Sequence, residues 1–128
     1  MNRLFLLPCL ALLPGFADAD TPQQILAAYQ QQAGSASAAR GEKFLFARVS
    51  QANGEGVGCA SCHTDNPQAI GKTRAHRAIE PLAPVASRER FTDPAKVEKW
   101  FKRNCKDVLD RECTVQEKAD LAFLISVK

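Results

Sequence analysis

Cys59-Ala60-Ser61-Cys62-His63 is the stretch from which the rest of the chain is read. Two cysteines separated by two residues, with a histidine directly after, form the attachment signature of a c-type haem. The chemistry requires that spacing. Each thiol adds across one vinyl group of the porphyrin, and two intervening residues let both sulfurs reach neighbouring pyrrole rings from one short turn. The histidine that follows is carried beneath the ring, where an imidazole nitrogen can bind iron. A structural zinc site would need two more ligands from a second cluster. The remaining late cysteines, Cys105 and Cys113, are too far apart for that. A redox dithiol would call for a βαβ context, and the sequence offers none.

Upstream, Met1-Asn2-Arg3 supplies a positive charge, Leu4 to Leu13 is apolar apart from Pro8, and Ala17-Asp18-Ala19 is a small-x-small cleavage site. This reads as a secretory signal peptide over residues 1–19, too short to span a membrane. Its removal takes Cys9 and Met1, the sole methionine, and leaves four cysteines. Arg3 and Asp18 leave together, so the net charge stays at +3. That balance is far from the basic stripe of a nucleic-acid binder and allows soft docking to an acidic redox partner. Residues 20–128 are expected to form one all-α domain wrapped around the haem. A chain of this size buries only about 60–65% of its unfolded surface, so a large apolar cofactor helps to build the core.

Thr21 is a fitting N-cap, Pro22 a fitting first helical residue, and Ile25, Leu26 and Tyr29 form a short apolar stripe. Gly34 to Ser37 reads as a break. A second helix is expected from Gly41, with Phe44, Leu45 and Val49 on one side. Asn53 to Gly58 fits no phosphate-binding pattern and reads as a flexible approach to the haem. Thr64 to Glu89 has no sustained period and is punctuated by Pro67, Gly71, Pro81 and Pro84. A loop this long is uncommon unless functional, and wrapping a haem edge is a sufficient reason. Its basic residues are Lys72, Arg74, His76, Arg77 and Arg88. Lys72, Arg74 and Arg77 are candidates for pairing with haem propionates, against the ordinary solvated fate of such side chains.

Asp93 and Pro94 open a third helix. Val97, Trp100, Phe101 and Asn104 then fall on one face, expected to point inward. An inward amide must be satisfied: Asn104 either caps its own helix end or turns its side-chain oxygen to the iron. In an oxidising compartment Cys105 and Cys113 read as a disulfide, worth about 2.5 kcal/mol in the chain-entropy account. Thr114 and Glu117 make a capping box for a last helix bearing Leu121, Phe123, Leu124 and Ile125, with Lys128 at its end. With no methionine left, the sixth ligand is to be sought among His76, a lysine, water and Asn104. A neutral amide oxygen is a hard, weak donor that suits ferric iron better than ferrous.

Arg90 to Asp93, Lys99-Trp100-Phe101-Lys102-Arg103-Asn104-Cys105, Arg111 to Thr114 and Glu117 to Asp120 together resemble the SHP (sphaeroides haem protein) family of oxygen-binding cytochromes c. The likeness runs from about Arg40 to the C-terminus and includes Cys59, Cys62, His63 and the Pro81 to Pro84 stretch. It implies one covalently bound haem c, Cys59 and Cys62 as its anchors, His63 as proximal ligand and Asn104 as the ligand of the oxidised iron. Trp100 and Phe101 would then line the haem. The resemblance also implies a Cys105–Cys113 bridge, ligand release on reduction, and binding of oxygen and nitric oxide by the reduced haem. Partners would be a dihaem cytochrome c and a membrane cytochrome b, in the periplasm. Two other functions compete with this reading: a small reductase or peroxidase-like enzyme, and a plain electron shuttle ligated by His63 and His76.

Overall fold

The computed structural model describes residues 19–128, and the leader reading lies outside the described residues except for Ala19. Helix α1, Pro22–Ala33, starts at a capping box in which Thr21 accepts from the Gln24 N–H and its own N–H donates to Gln24 Oε1. It buries Ile25, Leu26 and Tyr29 and stops at Gly34, whose φ of 87° only glycine adopts readily.

Helix α2 is Ala38–Phe46, capped by the Ser37 hydroxyl, and so begins before the expected Gly41. Gly41 has a different role. A Cβ there would stand 2.3 Å from the Asp120 carbonyl oxygen, so the residue marks the point where α2 and α5 cross in backbone contact. Val49 is not on this helix. It belongs to strand β1, Val49–Ser50, and is 37% exposed. Its i, i+4 spacing from Leu45 imitates a helical stripe, but Ala47 at φ −57° and ψ 135° has already ended the helix. The glycine-rich run is likewise a tight hairpin rather than a loose approach: β1 pairs antiparallel with β2, Gly56–Val57, and Gly54 at φ 79° closes the turn.

Helix α3 is the single turn Ala60–His63. The long segment after it is mostly irregular, with one two-residue ladder between β3, Gly71–Lys72, and β4, Ala78–Ile79. Helix α4, Pro94–Leu109, is capped by Asp93, which accepts from the Lys96 N–H at 3.0 Å, and ends on Asp110 in the left-handed conformation. Helix α5, Val115–Val127, opens on the Thr114–Glu117 capping box.

The core lies where α1 and α2 pack on α5. Leu45, Leu124 and Ile125 are its most deeply buried large side chains. Asp120 sits among them at 3% exposure. Its carboxylate accepts from the Ser37 N–H, from Arg40 Nε and Nη2, and from Gln116 Nε2, at 2.8–3.0 Å. Burial acts to raise its pKa, but these four donors, led by Arg40, more than offset that and hold it below the usual carboxylate value.

Candidate functional site

Helix α3 brings Cys59, Cys62 and His63 together. The Cys62 and His63 N–H groups donate to the Cys59 carbonyl at 3.2 and 3.0 Å, which winds the three residues into one turn. The Ser61 hydroxyl accepts from the Gly58 N–H at 3.1 Å and fixes how the chain enters. Both thiols are free and half-buried. Burial pushes the Cys59 thiol up, so it stays protonated in the fold. Burial pushes the His63 imidazole down, and the positive charge of Arg90 adds to that. The ring is therefore neutral, the state with a lone pair to give a metal.

Two glycines hold this turn in place. A Cβ on Gly58 would stand 2.1 Å from the Ala47 carbonyl oxygen, and one on Gly71 would stand 2.1 Å from the Cys62 carbonyl oxygen. Strand β3 thus rests directly on the backbone of the attachment turn. Gly71 pairs with Ile79 in β4, and the two residues after Ile79 offer their carbonyls to Arg90: Nη2 to Glu80 at 2.7 Å and Nε to Pro81 at 2.9 Å. Sequence reasoning passed over Gly71 and this role of Arg90. A lone glycine in a loop gives no signal until the surface beneath it is known.

A cleft of about 330 Å³ opens beside the turn, lined by Cys62, Ser61, Val57, Glu55, Lys72, Thr73 and Arg74. His76 is exposed at the turn of the β3–β4 hairpin, with φ 60°.

On α4 the buried stripe is Val97, Phe101 and Cys105, spaced four residues apart. Trp100 and Asn104 are on the flank of that stripe rather than within it. Trp100 is 42% exposed, with the Arg103 guanidinium 5.5 Å from its ring centre, and Asn104 is exposed. The stripe covered by protein is narrower than the face expected from the sequence: repeating at four residues, it drifts slowly round the helix and leaves positions 100 and 104 on its flank. Among the described residues the Asn104 carboxamide makes no hydrogen bond to protein, so it does not cap its own helix. Phe101 stands edge-on to Tyr29 and Phe91, with ring centres 5.9 and 6.3 Å apart. Cys105 and Cys113 are disulfide-bonded, with Cα atoms 5.6 Å apart, and both are buried.

Helix α4 is tied down by side chains. Tyr29 donates to Glu98 at 2.6 Å, Lys118 donates to the same carboxylate at 2.7 Å, and Gln51 Nε2 donates to the Val108 carbonyl at 3.1 Å. Burial, then the Glu98 hydrogen bond and charge, raise the Tyr29 phenol well above its ordinary value, so it remains a donor.

The donor set fits a c-type haem. It provides two free thiols on one turn and a neutral imidazole next to them. No group of three or more His, Cys, Asp and Glu side chains gathers elsewhere among the described residues, so a zinc cluster lacks its ligands. The strands are two-residue antiparallel pairs, so the βαβ frame of a redox dithiol is also missing among them.

Comparison with known proteins agrees. Residues 31–125 match a family described as a domain of unknown function, DUF1924. The cytochrome c-type protein SHP of Cereibacter sphaeroides is 39% identical over 122 residues, covering 94% of this chain and 95% of that protein. Cytochrome c'' of Methylophilus methylotrophus is 40% identical over 88 residues, 67% of this chain and 61% of that protein. Among solved structures, oxidised SHP, an oxygen binding cytochrome c, superimposes with a TM-score of 0.78 at 38% identity, over 86% of this chain and 99% of that one. The crystal structure of oxidised cytochrome c'' does so with a TM-score of 0.76 at 32% identity, over 81% of this chain and 91% of that one. The chain belongs to this DUF1924 family of all-α, SHP-type cytochromes c, whose cofactor is haem c.

Proposed function

We propose that the protein is an exported cytochrome that takes one electron from a redox partner and, once reduced, admits a diatomic gas such as oxygen or nitric oxide. When bound, haem c would supply an iron centre that changes charge by one electron. Cys59 and Cys62 would tether it and His63 would give it the proximal nitrogen. The observation that carries this reading is the pair of free thiols wound onto one turn with a neutral histidine directly after them.

Asn104 is the distal ligand in this proposal. It is on a helix whose next residue is bridged to Cys113, and its carboxamide has no competing protein partner among the described residues. Its hard oxygen would bind ferric iron and let go of the softer ferrous ion, so reduction opens the site. The freed amide could then donate a hydrogen bond to the incoming gas. Two relatives support the reading: oxidised SHP is described as oxygen binding, and the solution structure of the Methylophilus methylotrophus cytochrome c'' addresses haem-ligand detachment. His76 is a poor rival, because its hairpin packs through Gly71 on the α3 turn that carries His63. The leader motif in residues 1–19 supports a periplasmic location, and no helix among the described residues is long and apolar enough to cross a membrane. The family resemblance offers a dihaem cytochrome c or a membrane cytochrome b as electron donor.

Optical spectra of the oxidised and dithionite-reduced protein, with and without carbon monoxide, test the proposal. The expected result is a six-coordinate ferric form and a ferrous form whose spectrum carbon monoxide shifts. A ferrous form indifferent to the gas would overturn it.

A further inference from the structure

From Gly71 to Ala78 the β3–β4 hairpin carries Lys72, Arg74, His76 and Arg77 and no acidic residue. All four are exposed. Arg40, Arg103, Lys106, Arg111 and Lys118 each hold a carboxylate within 4 Å, and the α4 lysines Lys96, Lys99 and Lys102 have Glu98 set among them. Among the described residues Lys72, Arg74 and Arg77 hold none. A like-charged cluster without partners repels itself and adds nothing to the fold, so its use lies outside the chain.

Its position says what that use is. Lys72 and Arg74 line the same cleft as Cys62, the thiol nearest His63 in sequence. The hairpin cannot drift from that edge, because Gly71 is packed against the Cys62 backbone. Glu55, on the opposite hairpin, is the acidic residue of the cleft lining. The positive charge is therefore concentrated where the haem tether meets the surface.

We infer that the β3–β4 hairpin is the docking surface for an acidic redox protein, whose carboxylates meet Lys72, Arg74 and Arg77 while one electron crosses beside Cys62. This rests on the cytochrome reading above. The partner is oxidised by one electron and this protein is reduced by one, with no atom or proton exchanged at the contact. The encounter is of the weak electron-transfer class, burying less than about 1,200 Å². Charge steers it and salt screens it over roughly 8 Å at physiological ionic strength.

Small oxidants of opposite charge serve as probes. The haem-loaded protein, reduced and desalted without oxygen, is mixed in stopped flow with ferricyanide or with tris(phenanthroline)cobalt(III). The ferricyanide rate should fall as salt rises, and the cobalt rate should climb. The triple variant Lys72→Glu, Arg74→Glu, Arg77→Glu should lower the low-salt ferricyanide rate by about tenfold, raise the cobalt rate and reverse both salt slopes. Its ferric and ferrous spectra should match the parent's. Polyglutamate should slow the ferricyanide reaction of the parent and leave the variant alone. Should the triple variant fold poorly, Lys72→Gln with Arg74→Gln should flatten the salt slopes instead.

Rates and slopes that stay as in the parent would overturn the docking surface. So would a changed spectrum or reduction potential at unchanged rates, since the cations would then be serving the propionates of the haem. A parent protein without haem absorbance would instead sink the cytochrome reading, and the docking surface with it.

Discussion

The two helices on which the iron chemistry is proposed to depend are held in opposite ways. Helix α3 is fixed by backbone against backbone. Gly58 lies under the Ala47 carbonyl, Gly71 lies on the Cys62 carbonyl, and no side-chain rotation loosens either contact. Among the described residues no glycine packs against the α4 backbone as Gly58 and Gly71 do at α3 and its approach. Helix α4 is held by a buried stripe, a disulfide at Cys105, and hydrogen bonds through Glu98 and the Val108 carbonyl. A backbone contact is a hard stop, whereas side-chain ties can lengthen or change rotamer at the cost of a few RT. The fold thus gives its rigid mounting to the residue proposed to stay on the iron, and its compliant mounting to the residue proposed to leave it.

The sharpest way to break this contrast is at the rigid mounting. Gly71→Val would force a side chain into the Cys62 carbonyl. Overpacking commonly costs about 1–3 kcal/mol, and a backbone obstacle puts this case at the top of that range or above. Haem-loaded protein should be largely lost, as read by the pyridine haemochrome spectrum. Gly54→Ala is the control. It adds a Cβ in open space at φ 79°, so it meets only the left-handed backbone penalty of about 1–2 kcal/mol and should load haem normally. Equal loss in both variants would mean that close approach is not what fixes the turn.

The frame behind both helices comes next. Asp120→Asn removes the charge that holds Arg40, and the Asn amide adds a donor facing the Ser37 N–H or the Arg40 fork. Removing one partner of a fully buried pair costs about 3–5 kcal/mol, but the Arg40 side chain is 51% exposed, so on the order of 2 kcal/mol is expected. The pH dependence has a definite sign. Asp120 is held below its ordinary pKa in the fold, and so is Glu117, whose lowering comes first from the Arg111 hydrogen bond. Their contributions are complete above the unfolded carboxylate values of about 4 and are lost as pH falls through the lower folded values. The parent should therefore lose stability below about pH 4, and Asp120→Asn should flatten that loss in acid titrations followed by circular dichroism.

The sequence was most legible where the chemistry is local. The attachment turn, the Thr21, Asp93 and Thr114 caps, and the α1 and α5 apolar positions all depend on neighbours a few residues away. Position on a helix face was less legible. Val97, Phe101 and Cys105 form the buried stripe, and Trp100 and Asn104 flank it, a distinction that depends on what packs opposite. Val49 reads as helical from its spacing to Leu45, because two strand residues carry no period of their own. The three glycines at backbone crossings, Gly41, Gly58 and Gly71, were illegible as such. Each is explained by a carbonyl elsewhere in the chain, and for Gly41 that carbonyl belongs to Asp120 in the last helix.

A smaller effect probes the compliant mounting. Tyr29→Phe removes the hydrogen bond to Glu98 and keeps the ring that meets Phe101 edge-on. A hydrogen bond to a charged group contributes about 1.5–3 kcal/mol, but the Glu98 side chain is half exposed and retains Lys118, so about 1 kcal/mol is expected. For a domain of this size that lowers the Tm by roughly 4–8 °C. If α4 is the part that yields, amide hydrogen exchange along residues 94–109 should rise more than exchange along 60–63. A uniform rise in both would erase the distinction between the two mountings.

The smallest effect on stability is expected where the effect on the haem is greatest. Asn104 is exposed, and its side chain holds no protein group among the described residues. Asn104→Val should therefore change the unfolding free energy of the reduced protein, in which the proposed iron bond is released, by no more than about 0.5 kcal/mol, the ordinary range for a surface substitution. The ferric spectrum should nonetheless move to that of an iron open to added imidazole or cyanide, while the ferrous spectrum stays as in the parent. The dissociation of stability from spectrum is the informative result. A residue serving the fold would shift melting in both oxidation states, whereas a ligand that lets go on reduction shifts the oxidised form alone. A ferric spectrum unmoved by the substitution would take the iron away from Asn104 and leave α4 as scaffolding.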